Sequence, residues 1–186
     1  MTKLGVVPGT SNTTITSALG TATIDDVTPV HGKPGAKYWY IDANGSYCEC
    51  VYVKFIDAVA YVKGGAVFLA DDNTPATAPF YIVTNDYSED FGDILHVAGI
   101  CYGVQTTGYF GFVQTRGPGI VLQNNDDDGV IGAELIVTAA DNGVANMATA
   151  GASGPQIYIG IETTAVNATT NLCNAWINIG TNWWSE

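Results

Sequence analysis

Apolar positions along the chain fall into short runs with a period of two, separated by Gly, Pro, Asn and Asp. Lys37–Asp42 (K-Y-W-Y-I-D) and Tyr47–Phe55 (Y-C-E-C-V-Y-V-K-F) are rich in aromatic and β-branched residues. Between them lies Ala43-Asn44-Gly45-Ser46, and Asn-Gly is the strongest short hairpin signal. On the second strand Tyr47, Glu49, Val51, Val53 and Phe55 share one face, and Cys48, Cys50, Tyr52 and Lys54 the other. Further strands are predicted over Ala66–Ala70, Phe80–Thr84, Val130–Thr138, Gln156–Thr163 and Cys173–Ile179, the last as the closing strand. Ile56–Val62 fits either a helical turn or a continuing strand. Asp71–Pro79 and Asn85–Asp93 are loops. Ala139–Gly154 is built from small residues and reads as a long loop without core weight. There is no sustained amphipathic helix and no fixed-period repeat. Roughly ten short strands with frequent turns predict an all-β sandwich or barrel, of jelly-roll or β-tulip kind.

The chain is organised around Asp93–Gln123. Ile94–Val104 is one apolar strand, Thr106-Thr107-Gly108 a turn, and Tyr109–Thr115 a strand with three aromatics. Arg116-Gly117-Pro118-Gly119 is expected to break it at a sharp corner, with Ile120–Gln123 resuming beyond. Residues 1–35 are different: rich in Thr, Ser, Gly and Pro, without period, and beaded with Leu4, Val6, Val7, Ile15, Leu19 and Ile24. They read as an extended N-terminal arm that could reach at most about 100 Å, followed by one all-β domain over 36–186 with its core stretch at 93–180.

Charge changes the picture. Only 13% of residues are charged, against about 25% in an ordinary soluble domain. A surface so poor in charge suits one covered by partners. The net charge of −12 argues against nucleic-acid binding, which needs a basic face. No run is long and apolar enough for a membrane helix, and the N-terminus lacks the core of a signal peptide. Synthesis in a reducing cytoplasm is expected, with Cys48, Cys50, Cys101 and Cys173 as buried thiols.

Candidate chemistry is sparse. His31 and His96 sit in no recognisable catalytic motif, so no catalytic residue is assigned. Cys48-Glu49-Cys50 lacks the second ligand pair of a zinc site, and Asp126-Asp127-Asp128-Gly129 lacks the alternating oxygen ligands of a calcium loop. No metal or cofactor is expected. The acids of the 86–93 loop (Asp86, Glu89, Asp90, Asp93) match a glycosidase pair only in composition. Arg116 is the only arginine in the chain; beside a Gly-Pro corner it suits a bidentate contact within the fold or across a subunit boundary. Trp183 and Trp184 are two large apolar side chains that need cover, from the barrel or from a partner.

The run G-Y-F-G-F-V-Q-T-R-G-P-G-I-V-L resembles the corner motif of tailed-phage capsid cement (head decoration) proteins. In that family a Gly-Tyr-aromatic-Gly-aromatic-Val-Gln strand meets an Arg-Gly-Pro turn and a Val-rich strand; a small-residue segment and an Ile-Gly-aliphatic strand follow, here Ala133–Gly151 and Ile157–Thr163. The resemblance covers the C-terminal half well and the N-terminal half loosely. It implies a non-enzymatic virion protein, a homotrimer on the capsid exterior at junctions of the major capsid protein. Arg116, Trp183, Trp184, Leu4, Val6, Val7, Ile15 and Leu19 are then the candidate interface residues. The N-terminal extension departs from shorter family members. A sugar-binding β-sandwich, with Trp39 and Tyr109 as exposed aromatics beside acids, is the alternative.

Overall fold

The computed structural model describes residues 4–5, 34–42, 44–56, 61–70, 81–86, 96–124, 130–138, 145–147 and 156–180. These form eleven strands and, among the described residues, no helix. In chain order they are β1 (Leu4–Gly5), β2 (Lys37–Ile41), β3 (Tyr47–Phe55), β4 (Ala66–Leu69), β5 (Ile82–Thr84), β6 (Val97–Cys101), β7 (Phe110–Leu122), β8 (Glu134–Thr138), β9 (Asn146–Met147), β10 (Gln156–Glu162) and β11 (Leu172–Asn178). The all-β expectation holds.

One sheet connects them in the order β1-β2-β3-β5-β4-β6-β7-β11-β10-β8-β9, and an additional β3–β7 pairing closes β3, β5, β4, β6 and β7 into a ring. Each ring strand sends side chains inward: Val51, Val53 and Phe55 from β3, Val83 from β5, Val67 from β4, Ala98 and Cys101 from β6, Val113 from β7. The β3–β5 pair is parallel; the other ring pairs are antiparallel. Outside the ring lie two further cores. Ala66, Phe68, Val97 and Ile100 pack on a second layer made by β11, β10, β8 and the far half of β7, through Val121, Ala175, Ile177, Ile159 and Leu135. Tyr38, Cys48, Cys50, Tyr52 and Phe112 form the third, with edge-on and tilted ring contacts of 5.2 and 4.9 Å to Phe112. The two faces of Tyr47–Phe55 read from the sequence are those of β3.

The expected corner at Arg116–Gly119 is not a break. β7 runs uninterrupted through it for 13 residues, paired with β3 in its first half and with β11 in its second. The pattern of turn residues misled because a bulge does what the break was expected to do. Cys50 pairs with Gln114 and Glu49 with Arg116, so Thr115 is an extra residue on β7. Gly117 follows at φ 98°. Ile179 N donates to Thr115 O at 2.9 Å, which fixes the hydrogen-bonded pairs with β11 at odd-numbered β7 positions. Pro118, opposite Trp176, falls at a non-hydrogen-bonded pair, so its missing amide removes no ladder bond.

Two other expectations are corrected. Cys173–Ile179 does not close a barrel; β11 lies between β7 and β10, and closure is made by β3 on β7. The small-residue stretch Ala139–Gly154 is not without core weight: β9 pairs with β8, and Ala145 is fully buried. Most of residues 1–35, expected as an extended arm, lie outside the described residues. Leu4–Gly5 pair with Tyr40 and Trp39 of β2.

Gly117 tests the bulge. A Cβ there would meet the Tyr47 carbonyl oxygen at a left-handed φ, whereas one at Gly108 (φ 83°) would meet nothing within 4 Å. Gly117→Ala should cost about 3 kcal/mol or more in urea unfolding, and Gly108→Ala about 1 kcal/mol. Equal costs would remove the bulge from its place in the fold.

Candidate interaction face

Past the Thr115 bulge, the side of β3 and β7 that points into the ring becomes an open sheet face. Cross-strand pairing lays two rows across it. The first runs Trp39, Glu49, Arg116, Asn178 over β2, β3, β7 and β11. The second contains Ile41 opposite Tyr47, and then Pro118, Trp176, Ile161 and Glu134 in successive register. The rows join where the backbone of Tyr47 and Cys48 abuts Gly117. Five of the nine exposed large apolar side chains among the described residues stand here: Trp39, Ile41, Tyr47, Ile161 and Trp176, each 39–49% exposed. They gather on one face rather than standing singly over the surface, and that face is the candidate interaction surface among the described residues.

The polar groups on this face are few. Trp39 and Tyr47 stack at 6.0 Å with 27° between their planes. Burial raises the Tyr47 hydroxyl pKa first; Glu49 adds to the rise, and Arg116 opposes it, so both charges act on this ring. Glu49 accepts from the Thr115 hydroxyl at 3.3 Å. Arg116, the chain's only arginine, is exposed between Glu49 and Asn178.

Beneath the face, Gln114 holds the bulge. It is 3% exposed, and its Nε2 donates to the carbonyls of Arg116 at 3.1 Å and Pro118 at 2.9 Å. Cys48 Sγ approaches the Pro118 oxygen at 3.7 Å. These two carbonyls point toward the β3 side, where ladder pairing has ended at Glu49. An apolar residue at position 114 would leave them without this donor.

Of the residues singled out from the sequence, the structure puts Arg116 on the face, and Trp39 as well. Leu4 is in β1, paired with Tyr40. Val6, Val7, Ile15, Leu19, Trp183, Trp184, His31 and the Asp126–Asp128 run lie outside the described residues, as do Glu89, Asp90 and Asp93. Asp86 is described, and its amide closes a turn on the Thr84 hydroxyl at 2.9 Å. His96 precedes β6 and is half-buried. Tyr109 is half-buried, off the face. Among the described residues, no group of three or more His, Cys, Asp or Glu side chains could hold a metal ion. No helix there is long and apolar enough to cross a membrane. Tyr47, Trp176 and Ile161 were not singled out. Trp176 was findable: in C-N-A-W-I-N-I it alternates with Asn174 and Asn178 on the polar side, where an indole is out of place.

No protein-family model matches this chain, and no curated protein matches it.

All four cysteines are buried and free of disulfides. Burial pushes the thiols of Cys50 and Cys101 well above their usual range, and that of Cys173 up to about 12, from 9.0. Thiol reagents should therefore leave the folded chain unlabelled at pH 8 and modify four sites once it unfolds. The folded thiols keep their protons to higher pH than the unfolded ones. Their contribution to stability is then fully present below pH 9.0 and is lost as pH rises toward about 12. The raised Tyr38 and Tyr158 hydroxyls act in the same sense. A urea midpoint that holds constant or rises across this window would contradict it.

Proposed function

We propose that this chain is a structural virion protein, a capsid cement protein that binds the outer surface of a tailed-phage head where major capsid protein subunits meet. The single observation that carries the reading is the exposed Trp39–Trp176 face around Arg116, an apolar surface with the few charges of a subunit contact, as an assembling shell protein needs, rather than of a reaction site. The resemblance of Gly108–Leu122 to the cement-protein corner motif supports it, and so does a surface with few charged groups.

The mechanism needs no bond chemistry. Apolar and main-chain contacts, each weak, repeat at every symmetric position and raise the barrier to capsid opening. A homotrimer multiplies the contacts of each subunit through effective concentration. The N-terminal arm and the Trp183-Trp184 pair are the clamps that reach neighbouring capsid subunits. The net charge of −12 leaves packaged nucleic acid outside the set of partners.

A carbohydrate-binding module is the second reading. It is favoured by the exposed indoles of Trp39 and Trp176, standing on one face with Glu49 and Arg116. Stacking of sugar CH faces on such rings is physically sound.

The discriminating experiment sediments purified chain with intact heads lacking it. Saturable binding at a fixed number of copies per head is expected, together with a silent glycan array. A chain lacking residues 1–30 should keep its β circular dichroism and bind heads more weakly, by about tenfold or more if the arm supplies two or three docked side chains. Absence of head binding together with specific glycan hits would transfer the function to the second reading.

A further inference from the structure

The occupant of the aromatic face can be argued from charge. Two chains each carrying −12 repel wherever acids face acids. The face is different. Its first row holds one base, Arg116, directly beside one acid, Glu49, and its second row is apolar until Glu134 at its far end. Apolar side chains fill the remainder: Trp39, Tyr47 and Trp176. Here two copies can approach without net repulsion. A shift of one strand spacing, about 4.8 Å, carries the arginine of one copy from its own glutamate's neighbourhood to that of the other.

Other occupants fit less well. An anionic membrane needs clustered bases, and among its described residues this face has one. A nucleic acid needs the same. A flat sugar needs free ring faces, but Trp39 and Tyr47 already cover part of each other at 6.0 Å.

We propose that this face is the contact between copies of the chain, with Arg116 of each copy set against Glu49 of another and the Trp39–Tyr47 stack and Trp176 buried between them. The proposal rests on the reading of the chain as one that assembles with itself, and it assigns that assembly a surface. The capsid contact is then left to the arm and the terminal tryptophans.

The test uses the full chain from low to high micromolar concentration, by sedimentation velocity together with hydroxyl-radical footprinting of Trp39, Tyr47 and Trp176. Assembly should appear with rising concentration, and protection of the three rings should rise with it. Arg116→Glu and Glu49→Arg should each weaken assembly by about tenfold or more, with circular dichroism unchanged. Mixing the two variants should restore assembly that neither makes alone. Trp176→Ser, an exposed substitution, should weaken it as well and supplies the test if a charge variant fails to fold.

Four outcomes would overturn the proposal: a monomer at every concentration; an assembly in which the three rings stay reactive; charge variants that assemble as the parent does; and protection that arises only on adding heads, which would make the capsid the occupant. Head binding is scored separately. A chain that assembles through this face and ignores heads retires the virion reading and leaves this contact standing. One that binds heads with its rings reactive does the reverse.

Discussion

The fold depends on how one strand passes from one sheet partner to another without losing backbone hydrogen bonds. β7 is shared by the ring and the outer layer, and the transfer happens within Gln114–Gly119. There the β3–β7 ladder stops at Glu49 while the pairing with β11 continues, so carbonyls on the β3 side leave the ladder. Gln114 answers with its own amide, donating to two of them. Buried carbonyls left without donors each cost about 1–3 kcal/mol, comparable with a fifth of a typical domain's stability. Gly119 belongs to the same device, since any side chain there would meet the Gln114 amide and Ile177. The tie also joins distant chain segments, because Thr115 bonds to Glu49 across 66 residues.

The pattern along the chain was sufficient to find β2, β3, β4, β8, β10 and β11 and to assign both faces of β3: β2, β10 and β11 follow the period of two with one face toward a core, while β3, β4 and β8, buried on both faces, show as β-rich runs bounded by turn residues. It failed where the local rule and the tertiary structure disagreed. Gly-Pro-Gly breaks a strand on its own, but here the proline sits at a pair that needs no amide and the glycines permit close approach of β3 and Ile177. Ring closure was not legible, since strand patterns carry no record of which strands pair. Nor was β9, whose two residues gain their place by pairing with β8. The candidate site was half visible. A lone arginine drew notice by its rarity, and Trp39 by its aromatic strand, but the face exists only because five strands align them with Tyr47, Trp176 and Ile161.

The three cores and the face divide labour in a way that explains the sparse chemistry. Buried thiols and aromatics fill the ring and its flanks, and burial holds the thiols protonated and unreactive. What the face itself presents, among the described residues, is apolar surface with one base, Arg116, and the acids Glu49 and Glu134. Such a surface can hold a neighbour, and its strength scales with area and repetition more than with any single bond.

Among the described residues the sheet's two outer strands are β1 and β9, of two residues each, and β3, β5, β4, β6 and β7 close into a ring between them. Unpaired strand margins are where β proteins recruit foreign chains into fibrils. Margins this short, among the described residues, offer little template for runaway growth. A β chain with margins this short can be crowded without polymerising through its backbone.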